Sequence, residues 1–163
     1  MSEQFKAENS SMGRQVLNKL IFRAETLCRR RGVRFTDQRR KVFEIVCTSK
    51  KPIGAYEILD AMRGVLPGAA PPTVYRALDF LLDQGLVHKL ESLHAFVGCV
   101  HPEHPHFSQF LICSECGNID ELEDDRIARS LCDAAISTGF RAKRRIVEVI
   151  GICGRCSRGL EIE

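Results

Sequence analysis

The sequence lacks the features that would assign it to a membrane, to secretion or to a common class of enzyme. No apolar run approaches the roughly 20 residues of a membrane-spanning helix, and no segment resembles a signal peptide, so a cytoplasmic location is expected. The H-E-x-x-H pattern, the phosphate-binding loop and the dinucleotide-binding fingerprint are also absent. These absences favour a binding protein over an enzyme, without a membrane or a small-molecule substrate as partner.

Histidine is missing from most of the chain, because all five histidines lie between His88 and His106. Three of the eight cysteines lie within or just beyond this window, namely Cys99, Cys113 and Cys116. Eight cysteines without a secretion signal favour metal ligands or buried thiols over disulfides. The stretch from His88 to Glu121 therefore holds most of the candidate metal ligands.

Charge is distributed unevenly along the 163 residues, whose 44% hydrophobic content is enough for one large domain or two small ones. Residues 1–98 carry 16 Lys and Arg against 10 Asp and Glu, whereas residues 99–163 carry 8 against 11. A basic half is expected of a protein that binds a polyanion. Basic surfaces are also common on proteins that bind no polyanion, so the charge alone does not decide whether this chain binds one.

Apolar residues at helical spacing predict a series of helices in the basic half, after a flexible N-terminal tail at residues 1–13. The predicted helices begin near Arg14, Thr36, Ala55 and Pro71. Two β-like runs at 86–91 and 95–99 follow, joined by a tight turn. Short helices followed by a hairpin are typical of a winged helix-turn-helix, which predicts a DNA-binding domain at residues 14–99.

The fourth predicted helix carries the candidate DNA contacts. Its apolar positions leave Tyr75 and Arg76 on the outer face near the N-terminal end, where base edges are reached in the major groove. An arginine there can donate to guanine O6 and N7 together. Exposed tyrosines and arginines also occur on many helices that contact no DNA. The helix pattern, the basic charge and the hairpin together nevertheless favour DNA binding.

The second half is predicted to be a small α+β unit at residues 108–163, after a proline-containing hinge at 100–107. Two C-x-x-C pairs follow β-like runs, and they supply the four thiolates that structural zinc prefers. The four candidate ligands are Cys113, Cys116, Cys153 and Cys156. The alternative, two redox dithiols, would need a thioredoxin-like unit, which the pattern does not contain.

A second metal site is indicated by the remaining ligands. If Leu93 and His94 form a two-residue turn, His88 and Cys99 lie opposite each other in the hairpin, about 5 Å apart at Cβ. His106 from the hinge and Glu121 from the second unit would complete a tetrahedral set that suits Zn²⁺. Taken singly, each residue is better explained as a surface histidine or a buried cysteine, and only the clustering favours a sensor site.

The motifs resemble those of a known family. The run PPTVYRALDFLL at residues 71–82, GLVH at 85–88, AFVGC at 95–99 and LICSECG at 111–117 are similar to those of the ferric uptake regulator (Fur) superfamily. The resemblance extends over residues 15–160, and it is closest to the zinc uptake regulator branch.

The resemblance implies a zinc-responsive transcriptional repressor with an N-terminal winged helix-turn-helix and a C-terminal α/β dimerisation domain that contains a structural zinc site. Such a protein binds an operator palindrome as a homodimer, with zinc as corepressor, and controls zinc uptake genes. Two zinc ions per chain are implied. The structural zinc falls on Cys113, Cys116, Cys153 and Cys156, and the regulatory zinc falls on His88, Cys99, His106 and Glu121. The implied DNA contacts are Tyr56, Tyr75 and Arg76.

Several alternatives stay open at this point. His101 or His104 could replace His106 in the regulatory site. A regulator of iron or manganese is a second reading, although the segment 107–110 lacks the histidine-rich run of iron and peroxide sensors. A zinc-dependent nucleoside deaminase is a third, but Ile112 stands where its C-x-x-C motif carries proline. A winged-helix protein with structural zinc alone is the fourth.

Overall fold

The structure is a computed structural model of the chain, and it describes residues 3–99, 101–103, 107–142 and 145–160. It comprises two compact units that divide between Glu103 and His104. This division lies inside the segment 100–107 expected as a hinge, and the predicted domain boundaries themselves stay predictions. Among the helices that the structure describes, none combines the length and apolar character needed to cross a membrane.

Four helices form most of the first unit. They are α1 (Glu3–Arg30), α2 (Asp37–Thr48), α3 (Ala55–Arg63) and α4 (Pro71–Asp83). The Thr36 side chain caps α2 by accepting from the backbone amide of Arg39, and Pro71 and Pro72 occupy the first turn of α4, where no amide is required. Helix α1 begins at Glu3, within the segment 1–13 expected as a flexible tail. That segment has no apolar stripe to reveal a helix, but it is rich in helix-forming residues and has no proline.

Three strands complete the first unit, in the order β1 (Ile53–Gly54), β3 (Ala95–Gly98), β2 (Val87–Leu90). Strands β2 and β3 form the predicted hairpin, but His88 pairs with Val97. The prediction that His88 lies directly opposite Cys99 is therefore wrong. The connection uses the four residues Glu91–His94 instead of a two-residue turn, which shifts the register by two positions.

The core of the first unit lies between its helices and the hairpin. Helix α4 buries Val74, Ala77, Leu78 and Leu81, the i, i+3, i+4, i+7 stripe expected of its inner face. Side chains of α1, α2 and α3 pack in the same cluster. Gly85, with φ of 65°, ends α4 and turns the chain directly into β2. The wing thus begins immediately after the helix that carries the candidate DNA contacts.

The second unit is a three-stranded sheet with two helices. Its elements are β4 (Gln109–Cys113), β5 (Ile119–Leu122), α5 (Asp125–Ser137), β6 (Val147–Gly151) and α6 (Gly154–Leu160). The strand order is β5-β4-β6, with β5 antiparallel and β6 parallel to β4. The buried side chain of Gln109 donates to the carbonyl of Phe107 and accepts from the amide of Asp124, which fixes the start of α5 beside the sheet.

Candidate metal centres and nucleic-acid face

The parallel pairing of β4 and β6 brings the two C-x-x-C pairs together. Cys113 ends β4 and pairs with Gly151 at the end of β6, so each pair follows the carboxyl end of its strand. The amide of Ser114 donates to the carbonyl of Gly151 at 2.8 Å, which extends the pairing beyond the strands. Parallel strands end at the same edge of a sheet. This geometry brings Cys113 and Cys153 together although 40 residues separate them in the chain.

The four sulfur atoms form a compact cluster. All four lie within 4.8 Å of one another, and those of Cys116 and Cys153 are 3.7 Å apart. A disulfide would require about 2.05 Å, and none of the eight cysteines, all of which the structure describes, forms one. A tetrahedron with Zn–S bonds of about 2.3 Å has sulfurs about 3.8 Å apart. The donor set and its spacing therefore fit zinc.

The surroundings lower the pKa of two of the thiols and raise the pKa of a third. Backbone amides of Cys116 and Cys153 lower the pKa of Cys113 to about 6, and amides of Cys156 and Arg155 lower the pKa of Cys153. Hydrogen bonding to the side chains of Cys153 and Cys116 raises the pKa of Cys156 to about 12. Without a cation the cluster therefore retains protons, and a metal ion would release them on binding.

His88 and Cys99 come together in the wing in spite of the shifted register. Their ligand atoms lie within 4.8 Å of each other. A shift of two positions preserves the face on which a side chain lies, because successive side chains alternate between faces. Cys99 is buried and its amide donates to the carbonyl of Leu86 at 3.0 Å, so the thiol is a diagonal neighbour of His88.

Glu121 lies in the second unit, inside strand β5, where it pairs with Phe110 of β4. Its side chain is half-buried, and the hydroxyl of Ser108 donates to Glu121 Oε1 at 2.5 Å. This bond orients the carboxylate, as a partner of a metal ligand commonly does. Sequence reasoning missed Ser108, because a lone serine before a strand carries no recognisable signal.

The other histidines are distributed differently. His106, the predicted fourth regulatory ligand, and His104, one alternative to it, lie outside the described residues. His101, the other alternative, is exposed. His94 closes the turn of the wing with a φ of 50°, a conformation that histidine adopts more readily than most residues. The choice among the hinge histidines stays a prediction.

The candidate DNA contacts lie on exposed positions of the first unit. Tyr75 and Arg76 are exposed in the second turn of α4, and Tyr56, at the start of α3, is 71% exposed. The Nε atom of Arg76 donates to the carbonyl of Pro72 at 3.1 Å, which holds the side chain towards the N-terminal end of α4. In a helix-turn-helix the second helix lies in the major groove and the first crosses the DNA backbone, which corresponds to α4 and α3 in chain order.

Comparison with known proteins agrees with this geometry. A sequence model of the ferric uptake regulator family matches residues 30–150. The zinc uptake regulation protein of Escherichia coli K12 is 38% identical over 146 residues, which cover 89% of this chain and 85% of that protein. The peroxide operon regulator of Bacillus subtilis is 31% identical over 129 residues, covering 78% and 86%.

Solved structures are similar over nearly the same range. A zinc uptake regulator complexed with zinc and DNA superimposes with a TM-score of 0.85 at 38% identity, covering 89% of this chain and 97% of that one. The holo form of XcZur gives a TM-score of 0.81 at 43% identity, covering 86% and 99%. The fold is therefore an N-terminal winged helix followed by a small α/β domain, as predicted.

Proposed function

Since the chain belongs to the ferric uptake regulator family, we propose that it is a zinc-responsive transcriptional repressor of zinc uptake genes. It binds operator DNA in the cytoplasm as a homodimer when its regulatory zinc is bound, and it catalyses no reaction. The observation that carries this proposal is the similarity, over 89% of the chain, to a zinc uptake regulator complexed with zinc and DNA.

Zinc is preferred over iron or manganese for two reasons. The 38% identity to a zinc uptake regulation protein exceeds the 31% and 29% to peroxide and ferric regulators. In addition, the segment before the first C-x-x-C offers no histidine in the range 107–112. Gln109 in that segment is buried and its amide is engaged with Phe107 and Asp124.

The first zinc ion is structural and is held by Cys113, Cys116, Cys153 and Cys156. It joins the end of β4 to the end of β6. Structural zinc of this kind contributes on the order of 10 kcal/mol to folding, which is large beside the stability of a small domain. The site therefore acts as the main crosslink of the second unit.

The second zinc ion is regulatory and is held by His88, Cys99, His106 and Glu121. The support lies in the proximity of His88 to Cys99 within the wing and in the oriented carboxylate of Glu121. A thiolate, two imidazoles and a carboxylate supply a charged tetrahedral set that suits Zn²⁺. Two zinc ions per chain follow from the two sites.

The wing ligands have a short connection to α4. The amide of Leu86 donates to the carbonyl of Leu81 in α4 at 2.9 Å, and the carbonyl of Leu86 accepts from the amide of Cys99 at 3.0 Å. Leu86 is fully buried. A metal that fixes His88 and Cys99 therefore also constrains the end of α4, and with it the orientation of Tyr75 and Arg76 towards DNA.

The homodimer is supported by an apolar face of the second unit. Helix α5 has an amphipathic sequence, but none of its residues is buried within the chain. Ile127 and Leu131, about one turn apart on α5, remain exposed, and so do Ile136, Phe140, Val149 and Ile150 elsewhere on this unit. Exposed apolar surface on a helix favours an interaction, and a second copy of the chain is the occupant expected of a repressor that binds a palindrome.

The experiment is a DNA-binding titration with free zinc as the variable. The probe is the DNA upstream of the chain's own gene, and a chelator is chosen to remove the weaker zinc while one zinc per chain is retained. We expect binding to appear only as the second equivalent is filled. Binding that is unchanged when only the structural zinc remains would contradict the proposal, and would favour a winged-helix protein without regulation.

A further inference from the structure

A cavity of about 330 Å³ lies between the start of α2 and the first two turns of α4. Its lining residues are Thr36, Gln38 and Arg39 from α2 and its cap, and Thr73, Arg76 and Ala77 from α4. The lining thus contains two guanidinium groups, two hydroxyls and an amide, and it contains no carboxylate. Such a set of donors fits an anion.

Arg39 is held in place before any ligand arrives. Its guanidinium carbon lies 3.6 Å from the centre of the Phe80 ring, and Nη1 donates to the carbonyl of Arg34. A planar group fixed by stacking loses little conformational freedom on binding. Arg76, on the opposite wall, uses only Nε for its bond to Pro72, which does not engage its two terminal nitrogens.

We propose that this cavity binds one backbone phosphate of DNA, next to the bases that α4 reads. The inference rests on the proposed function and extends it to Gln38, Arg39, Thr36 and Thr73, residues without a role in base reading. The guanidinium fork of Arg39 matches the oxygens of a phosphate in a bidentate way, which leaves the fork of Arg76 for the bases. Phosphate contacts fix the position of a protein on the duplex but carry no direct sequence information. The phosphate contact in the cavity therefore fixes the position of α4 on the duplex, whereas Tyr75 and Arg76 recognise the base sequence.

The first test is Gln38→Glu, which adds a negative charge to the cavity with almost no change in shape. A carboxylate in the first turn of a helix is favourable, so the fold is expected to be retained. We expect about tenfold weaker binding to operator and to unrelated duplex DNA alike, so that their ratio is unchanged. Gln15→Glu, at an exposed position of α1, is the matched control and should leave both affinities unchanged.

The second test measures the salt dependence of Arg39 variants. Arg39→Gln should lower the slope of log affinity against log salt by about 0.9, the value for one phosphate contact. Arg39→Lys should keep the slope but weaken binding, because it retains the charge and loses the fork. Lys41→Gln removes an equal charge from α2 at a residue paired with Glu44, outside the cavity, and should keep the wild-type slope.

Three results with DNA would each overturn the proposal. These are unchanged affinity in Gln38→Glu, a loss confined to the operator, or an unchanged slope in Arg39→Gln. Inorganic phosphate that shifts the Gln38 amide resonance while Gln38→Glu binds DNA normally would also overturn it, because the ligand would then be a free anion. These readouts compare variants at one fixed zinc concentration. They therefore stay informative even if wild-type binding proves independent of zinc, the result that would end the proposed function.

Discussion

The backbone amide of Cys153 donates to Sγ of Cys113 at 3.3 Å, although 40 residues separate the two cysteines. The contact is a product of the parallel register in which Cys113 pairs with Gly151. The strand pairing presents an amide to the thiol, and the thiol in turn belongs to the four-sulfur cluster that fits zinc. Sheet and metal site therefore depend on each other.

We predict that Cys113→Ser removes the structural zinc and unfolds the second unit. Loss of a thiolate ligand would forfeit much of the roughly 10 kcal/mol that such a site contributes. Zinc content and thermal unfolding measure the effect. Cys132→Ser, at a cysteine of α5 outside the cluster, should keep both the zinc and the wild-type Tm. Retention of that zinc in Cys113→Ser would contradict the proposal that the four-cysteine cluster holds it.

We predict that His88→Ala abolishes the zinc-dependent gain in DNA affinity, on the order of tenfold or more. The unfolding temperature should change little, because the side chain is only half-buried. Operator titrations with and without zinc measure the gain. His94→Asn, on the same hairpin and in a conformation that asparagine tolerates, should retain it. Unfolding of His88→Ala comparable to that of Cys113→Ser would show a structural role instead.

Ser108→Ala is expected to weaken the regulatory zinc by about tenfold or more. The substitution removes the hydroxyl that donates to Glu121 Oε1, and partners of metal ligands contribute on this scale. Zinc competition against a chromophoric chelator measures the affinity. Ser137→Ala removes a hydroxyl that bonds only within α5 and should bind zinc like the wild type. Equal affinities in the two variants would leave Glu121 without support as a ligand.

Leu131→Lys is expected to dissociate the homodimer, with a dimer Kd raised on the order of a hundredfold. The side chain is 41% exposed on the apolar face of α5, and an unpaired charge buried there costs several kcal/mol. Sedimentation equilibrium measures the change. Ser130→Lys adds the same charge to an adjacent exposed position and should stay dimeric. A monomeric wild-type chain, or a dimeric Leu131→Lys variant, contradicts the assignment of this face.

The ionised form of Asp124 should stabilise the start of α5, and this stabilisation should be lost in strong acid. Hydrogen bonds from Arg126 lower the pKa of Asp124 from 3.8 to about 2. A lowered pKa means that the stabilisation is fully present above about pH 4 and is lost as the pH falls through about 2. An NMR titration of the Asp124 carboxyl should show a midpoint near 2. Asp124→Asn should be less stable than the wild type at pH 6, and the difference should vanish in strong acid.

Much of the first unit was predictable because its signals are local. The apolar stripe of α4, the prolines in its first turn and the cap at Thr36 each act over a few residues, and all three are found in the structure. Strand β1 has only two residues, too few for any pattern, and it exists because Ile53 and Gly54 pair with β3. Tertiary pairing created this element, and local sequence could not reveal it.

The hairpin shows how a wrong register can still lead to a correct grouping. The prediction assumed a two-residue turn at Leu93 and His94, but the connection runs over residues 91–94, and His88 therefore pairs with Val97. The shift is even, so His88 and Cys99 remain on one face. An odd shift would have separated them. The grouping of these two ligands was predictable from spacing, whereas their diagonal relation depended on turn geometry.

The sequence predicted which four cysteines form the cluster, but it did not predict the strand pairing that brings them together. The spacing of the two C-x-x-C pairs predicts as candidate ligands the four cysteines that cluster in the structure. The means of bringing them together, a parallel pairing of β4 with β6, is a long-range contact without a sequence signature. Ser108 and the cavity beside Arg39 were missed for the same reason, because both arise from packing between segments that are distant in the chain.

The parallel pairing of β4 and β6 also bears on how long the structural zinc stays bound. Cys113 and Cys116 arrive with one hairpin, whereas Cys153 and Cys156 arrive only when β6 has docked. If all four thiols hold the ion, its release would be coupled to the opening of the β4–β6 pairing, which is a local unfolding event. The residence time of the ion would then report how often this pairing opens.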